Sequence, residues 1–322
     1  MGADLANMRF VSLRVLFVLI CLVLAGIAEP SDGQIFVSSN DVPSIIGEYT
    51  LSGTPINPKL ITGIAPPAAI TIAGGNIFVA NYTFGTIGEY SITGTPINTS
   101  LISGLNAPFS LQIDGSLMYV ANSAQFQARQ GSVGLYTTSG ATVKSSFITG
   151  LSGPDSIAIS DGKLYVLSLG VPGAHSGTLG VYDAVTGAVI NANLISGLNS
   201  PEGLAISGQN VFIGVQLDGG IKEYDTSGAL INSSFISDPD VWSIVAVGDK
   251  LFVGNTGSGP TGNVGEYTTS GQTVNASLIT GLVQPYGIAV NTVPEPSCWS
   301  LFVCGIGVML LGCRRSTRAI LL

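Results

Sequence analysis

Between residues 29 and 293 the chain has no cysteine: the four it contains, Cys21, Cys298, Cys304 and Cys313, lie in apolar terminal segments. That excludes a disulfide framework and a thiolate metal site from the body, which must be held by packing and ladder hydrogen bonds. Histidine is almost as scarce. His175 is the only one, in a VPGAHSGT stretch that reads as a lengthened loop, so imidazole acid–base or metal chemistry would rest on a single side chain. Charge is sparse, and basic charge sparsest. Residues 29–293 carry 17 Asp and Glu against six Lys and Arg, a net charge of −11. Such a surface repels polyanions, which argues against nucleic acid as a partner. Gly-rich phosphate loops, a nucleophile elbow, an HExxH helix and basic patches are also missing.

What is plentiful is glycine, at 43 residues, and the body repeats itself. A tyrosine recurs at Tyr49, Tyr90, Tyr136, Tyr182, Tyr224 and Tyr267, at intervals of 41, 46, 46, 42 and 43 residues. Each is followed by a TSG-like turn, an apolar pair such as Leu101–Ile102, and a GL-x-x-P-like link. Runs such as GIAV or GLAIS come next, then runs such as NIFVANY, LMYVANS, KLYVLSL, NVFIGVQ and KLFVGNT. Four runs per repeat, each four to seven residues long and rich in Val, Ile, Tyr and Phe, are strands rather than helices. Four strands in a period of about 40–45 residues predict an all-β, six-bladed β-propeller over residues 29–292, with a solenoid as the alternative.

The two ends complete each other. YGIAVN at 286–291 matches an inner run but has no strands after it. QIFVSSN at 34–40, IIGEYTL at 45–51 and INPKLIT at 56–62 match the three missing runs. One C-terminal and three N-terminal strands are therefore expected to form the closing blade, which removes the open edges of a linear array. On this register the inner strands enter just after the link prolines. They bring Ala68, Phe109, Asp155, Glu202, Trp242 and Tyr286 to one mouth of a central channel, opposite residues 34 and 292. Aromatics beside carboxylates are a reasonable surface for stacking and hydrogen-bonding a neutral sugar, and the carboxylates would also recruit a cation. The same aromatics could equally serve as a plug. The repeated tyrosines read as blade packing.

The termini read as addresses. Arg9 and Arg14 precede an apolar run, VLFVLICLVLA at 15–25, and the small residues Gly26 and Ala28. These are the parts of a secretory signal peptide spanning 1–28, with an uncleaved anchor as the alternative. At the other end Pro294, Glu295 and Pro296 precede about seventeen mostly apolar residues and a basic pair, Arg314–Arg315. A run of that length can cross a bilayer as a helix, with its basic end held in the cytoplasm. Apolar helical segments are thus expected at both termini.

Triplet, span and basic stop in this order resemble the PEP-CTERM sorting signal of Gram-negative bacteria that make extracellular polysaccharide. The resemblance covers about 25 residues. It implies processing of the 293–322 tail by an exosortase-type membrane protease and a place in the cell envelope or at the cell surface. The body, with its proline–x–GIAV, LYVAN and EY runs, resembles NHL-type and gluconolactonase-type propellers. In gluconolactonase-type enzymes divalent-metal ligands sit at the register of the six mouth residues. Only Asp155 and Glu202 match in type, which leaves no cofactor beyond a weakly held Ca²⁺. Two functions follow. One is a non-enzymatic envelope protein with a structural, adhesive or polysaccharide-binding role. The other is a metal-dependent, lactonase-like hydrolase or lyase using Asp155 and Glu202.

Overall fold

A computed structural model describes residues 33–292, except 125–129, 172–173, 238–239 and 258–260. The expected signal peptide, the Pro294-Glu295-Pro296 triplet and both apolar terminal segments lie outside the described residues. Among the described residues no helix is long and apolar enough to cross a membrane.

Residues 34–291 form one compact unit of six four-stranded antiparallel sheets. The innermost strands are β4 (Pro67–Ala73), β8 (Pro108–Asp114), β12 (Pro154–Ser160), β16 (Pro201–Ser207), β20 (Val241–Val247) and β24 (Ile288–Asn291). The second strands are β1 (Gln34–Ser39), β5 (Asn76–Asn81), β9 (Leu117–Asn122), β13 (Lys163–Ser168), β17 (Asn210–Val215) and β21 (Lys250–Asn255). The third are β2 (Ser44–Thr50), β6 (Thr86–Ser91), β10 (Gly131–Thr137), β14 (Gly177–Asp183), β18 (Gly220–Asp225) and β22 (Gly262–Thr268). The outermost are β3 (Pro55–Ile64), β7 (Pro96–Ile102), β11 (Thr142–Leu151), β15 (Val189–Leu198), β19 (Leu230–Ile236) and β23 (Thr273–Leu282). Each inner strand touches the next, from β4 through β8, β12, β16 and β20 to β24, and β24 returns to β4. This is a closed six-bladed β-propeller.

The closing blade runs β24-β1-β2-β3, with Gln34 opposite Asn291 and Val37 opposite Ile288. One C-terminal and three N-terminal strands thus make it, as the repeat register requires. The C-terminal strand is shorter than the 286–291 run. Gly287 donates to the Ser38 hydroxyl rather than to a strand carbonyl, at 2.7 Å, so regular pairing starts only at Ile288. Closure recurs at the perimeter. Gly53, in the β2–β3 turn of the closing blade, has φ +81°, and a Cβ there would collide with the Leu278 carbonyl oxygen of the neighbouring blade. Glycine supplies both the left-handed turn and the close approach.

The apolar alternation of the strands is consumed between blades. Six buried clusters sit one at each interface of adjacent sheets, such as Phe36, Ile46 and Ile61 with Ile77, Val79 and Tyr90. The six recurrent tyrosines are all buried at these interfaces, as expected for packing residues. A second aromatic ring lies further in. Phe36, Phe78, Tyr119, Tyr165, Phe212 and Phe252 occupy one position of the six second strands and are buried. Tyr119 spends its hydroxyl on the carbonyl of Ala184 in the next blade, at 2.8 Å. The outermost strands face solvent for their first five residues.

Candidate functional site

A cavity of about 280 Å³ opens where the inner strands begin, and Ala68, Phe109, Asp155, Glu202, Trp242 and Tyr286 all line it. The local cause is a repeated break in strand pairing. Pro67 pairs with Asn81 but Ala69 with Ala80, so Ala68 is an extra residue in the ladder. The same skip falls at Phe109, Asp155 and Trp242, and across Glu202–Gly203. A β-bulge of this kind re-aims the unpaired side chain. Here it puts one residue from each of these blades into the channel mouth. Gln34 and Asn291 pair at the opposite end of the strands.

Two larger hollows, of about 490 and 470 Å³, lie elsewhere, one between the Asp41–Ile45 turn and Leu282, the other around Glu89 and Leu101. Neither gathers buried ionisable groups as the central cavity does. Trp242 and Tyr286 stack with ring centroids 4.5 Å apart and planes inclined by 39°. Tyr82 and Phe109, in the same lining, lie 5.4 Å apart at 47°.

The electrostatics are one-sided. Glu202 is 7% exposed, and its Oε2 has no hydrogen-bond partner. Asp155, on the adjacent blade, is half-buried in the same wall. Desolvation pushes the Asp155 carboxyl up to about 8. Desolvation first, and the Asp155 charge second, push Glu202 up to about 9. Tyr286 is pushed to about 12 by burial and by Tyr82 and Glu202. Among the described residues no Lys, Arg or His lines the cavity. Near neutral pH the pair therefore holds protons that an exposed carboxylate would have released.

Gln216 ties the acid to the indole. In the amide orientation that satisfies both neighbours, its nitrogen donates to Glu202 Oε1 and its oxygen accepts from Trp242 Nε1, each at 3.2 Å. Sequence reasoning missed both Gln216 and Tyr82. The signal was there: they close the aligned runs NVFIGVQ and NIFVANY, one residue past the second strands β17 and β5. These strands run back towards the mouth, so their exit residues reach the same rim that the inner strands enter.

Other candidates fall away from the cavity. His175 is exposed in the β13–β14 loop, in a left-handed conformation at φ 47°. The Asn-x-Ser/Thr sequences at Asn98, Asn232 and Asn275 have a local structural cause. Each Asn side chain accepts from the backbone N–H two residues on, at 3.0–3.1 Å, and Asn57 and Asn191 do the same without such a sequence. A metal fits the cavity poorly. A hard cation takes six or more oxygens, several of them anionic, whereas the mouth offers two carboxylates and otherwise only neutral oxygens, such as those of Ser110, Gln112, Ser156 and Ser243, among aromatic and aliphatic side chains. No cluster of three or more His, Cys, Asp or Glu able to hold a metal occurs among the described residues.

No family model matches the chain, and no curated protein matches it in sequence. Solved structures match in fold. A chain of the nidogen/laminin complex superposes with a TM-score of 0.63 at 13% identity, covering 81% of this chain and 99% of that one. A gluconolactonase from Xanthomonas campestris superposes with a TM-score of 0.54 at 12% identity, covering 66% of this chain and 76% of that one. At such identities the likeness is one of fold, and a propeller scaffold by itself selects no function.

Proposed function

We propose that this chain is an exported, envelope-anchored propeller that binds extracellular polysaccharide without catalysis. The observation that carries the reading is the cavity mouth, where side chains from six blades surround one space of about 280 Å³ with four aromatic residues and two acids. Aromatic faces pack on sugar C–H surfaces, and a few polar groups set orientation. The space would hold roughly nine waters at about 30 Å³ each, which suits a single sugar ring. A glycan array probed with the purified protein tests the reading. Binding that weakens at least about tenfold in Trp242→Ala supports it, and binding indifferent to that change places the site elsewhere.

Export and anchoring rest on the terminal sequences. The 1–28 segment acts as a signal peptide, and the 293–322 tail inserts as a helix until an exosortase-type protease processes it at Pro294-Glu295-Pro296. The mature protein then resides in the cell envelope or at the cell surface. Replacing the triplet by alanines keeps the apolar span, so insertion persists while processing stops. A tail trimmed as before on a gel makes it a plain anchor.

A lactonase-like hydrolase using Asp155 and Glu202 is the second reading. One observation favours it, namely two carboxylates on adjacent blades within a fold like that of a gluconolactonase. Ca²⁺-dependent opening of gluconolactone by the purified protein, lost in Glu202→Gln, would establish it against the binding reading.

A further inference from the structure

We infer that the central cavity recognises a primary ammonium group, presented by a sugar whose amino nitrogen is not acylated. The amino-sugar part rests on the polysaccharide reading; the ammonium part does not.

Three observations converge. The first is an acceptor with nothing to accept. Glu202 is more than nine-tenths buried and Oε1 has the Gln216 amide, but Oε2 has no donor. A buried unpaired acceptor is costly and calls for a partner. The second is charge. Asp155 and Glu202 share a wall, and among the described residues the ionisable groups that line it with them are Tyr82 and Tyr286, so no described cation offsets them. The pair holds protons near neutral pH that an arriving ammonium would displace. The third is the rest of the wall. Trp242, Tyr286, Tyr82 and Phe109 offer ring faces, which attract a desolvated cation and pack against a sugar ring. A neutral sugar hydroxyl would satisfy Oε2 but bring no counter-charge, so the pair would stay protonated. A hard metal ion would compensate them but find only two anionic ligand groups, the other side-chain oxygens of the lining being neutral hydroxyls and an amide. A primary ammonium brings positive charge and three donors in one group. The surplus of acids over bases across the body would also draw a cationic polymer towards the mouth.

Glucosamine trimer, N-acetylglucosamine trimer, a neutral glucose trimer, butylammonium chloride and calcium chloride are titrated calorimetrically into the purified full-length protein. The Glu202→Gln and Asp155→Asn variants are tested in parallel, with melting curves to verify folding. Expected is binding of the glucosamine trimer at least about tenfold tighter than the other two trimers, ~1.4 kcal/mol. Added salt should weaken it and Glu202→Gln should remove the advantage. If Glu202→Gln fails to fold, Asp155→Asn reports in its place. Equal binding of all three trimers overturns the ammonium inference and leaves the polysaccharide reading intact. Butylammonium binding that needs Glu202, with no trimer bound, supports the ammonium site and overturns the polysaccharide reading. Calcium bound more tightly than any amine, or no ligand bound at all, overturns the inference.

Discussion

Ser38 and Gly287 bracket each other across 249 residues of chain: the Gly287 N–H donates to Ser38 Oγ at 2.7 Å, and the Ser38 N–H donates to the Gly287 carbonyl at 2.9 Å. Val283 and Ser39 repeat the arrangement nearby, with the Val283 N–H on Ser39 Oγ at 2.8 Å. These bonds lie beside Tyr286, so the seam that closes the ring also builds part of the cavity wall.

Closure is therefore expected to be fragile at Gly287. A Cβ there would stand 2.9 Å from the Ile70 nitrogen and 3.2 Å from the Ala69 carbonyl carbon, both backbone. Gly287→Ala should cost about 1–3 kcal/mol through overpacking, read as a lower midpoint in urea unfolding. Deleting residues 29–45 removes β1 altogether and leaves β24 and β2 without their shared partner. That form should lose cooperative melting, and a soluble deletion as stable as the intact chain would contradict the closure.

Stability should fall as pH rises through the neutral range. The Asp155 and Glu202 carboxyls move from ordinary values of 3.8 and 4.5 up to about 8 and about 9 on folding. Between those limits the folded chain holds more protons than the unfolded one, so each rise in pH favours unfolding. Glu48 and Glu223 are raised by burial in the same direction. Asp183, Asp218 and Asp225 are held low and act oppositely, but only below about pH 4. Melting temperatures should therefore decline from pH 5 to 9. The decline should be shallower in Glu202→Gln combined with Asp155→Asn, and an unchanged slope would show that the pair is ionised in the folded protein.

Tyr119→Phe tests the inter-blade ring. It removes the hydroxyl that the buried carbonyl of Ala184 accepts from, without opening a cavity in the packing. Loss of a buried hydrogen bond with one partner left behind should cost about 1–3 kcal/mol, seen as a shift in unfolding midpoint. Tyr165→Phe, at the same position of the next blade, provides the comparison.

Gln216→Leu should separate the site from the scaffold. The change keeps the bulk but strips the donor from Glu202 and the acceptor from the Trp242 N–H. Ligand binding on the array should drop at least about tenfold, ~1.4 kcal/mol, while the melt stays cooperative. Undiminished binding would show that Gln216 does not position the wall.

Much of this molecule was legible in one dimension. The tyrosine period, the four runs per repeat and the complementary ends carried six blades and their closure, because a blade is a local object whose strands follow one another with tight turns. The link proline likewise located Ala68, Phe109, Asp155, Glu202, Trp242 and Tyr286, since one residue per repeat at one register must arrive at one end of a ring. Tyr82 and Gln216 went unread although they share a register, because their role depends on where the second strand comes out relative to the bulged first one. Whether two acids find a counter-charge is not a property of spacing at all. Asp155 and Glu202 are 47 residues apart in the chain, and only the closing of the ring brings them into one wall with four aromatic residues and, among the described residues, no base. Their raised proton affinity follows from that enclosure, since desolvation is set by what surrounds a group in space and not by its neighbours in sequence.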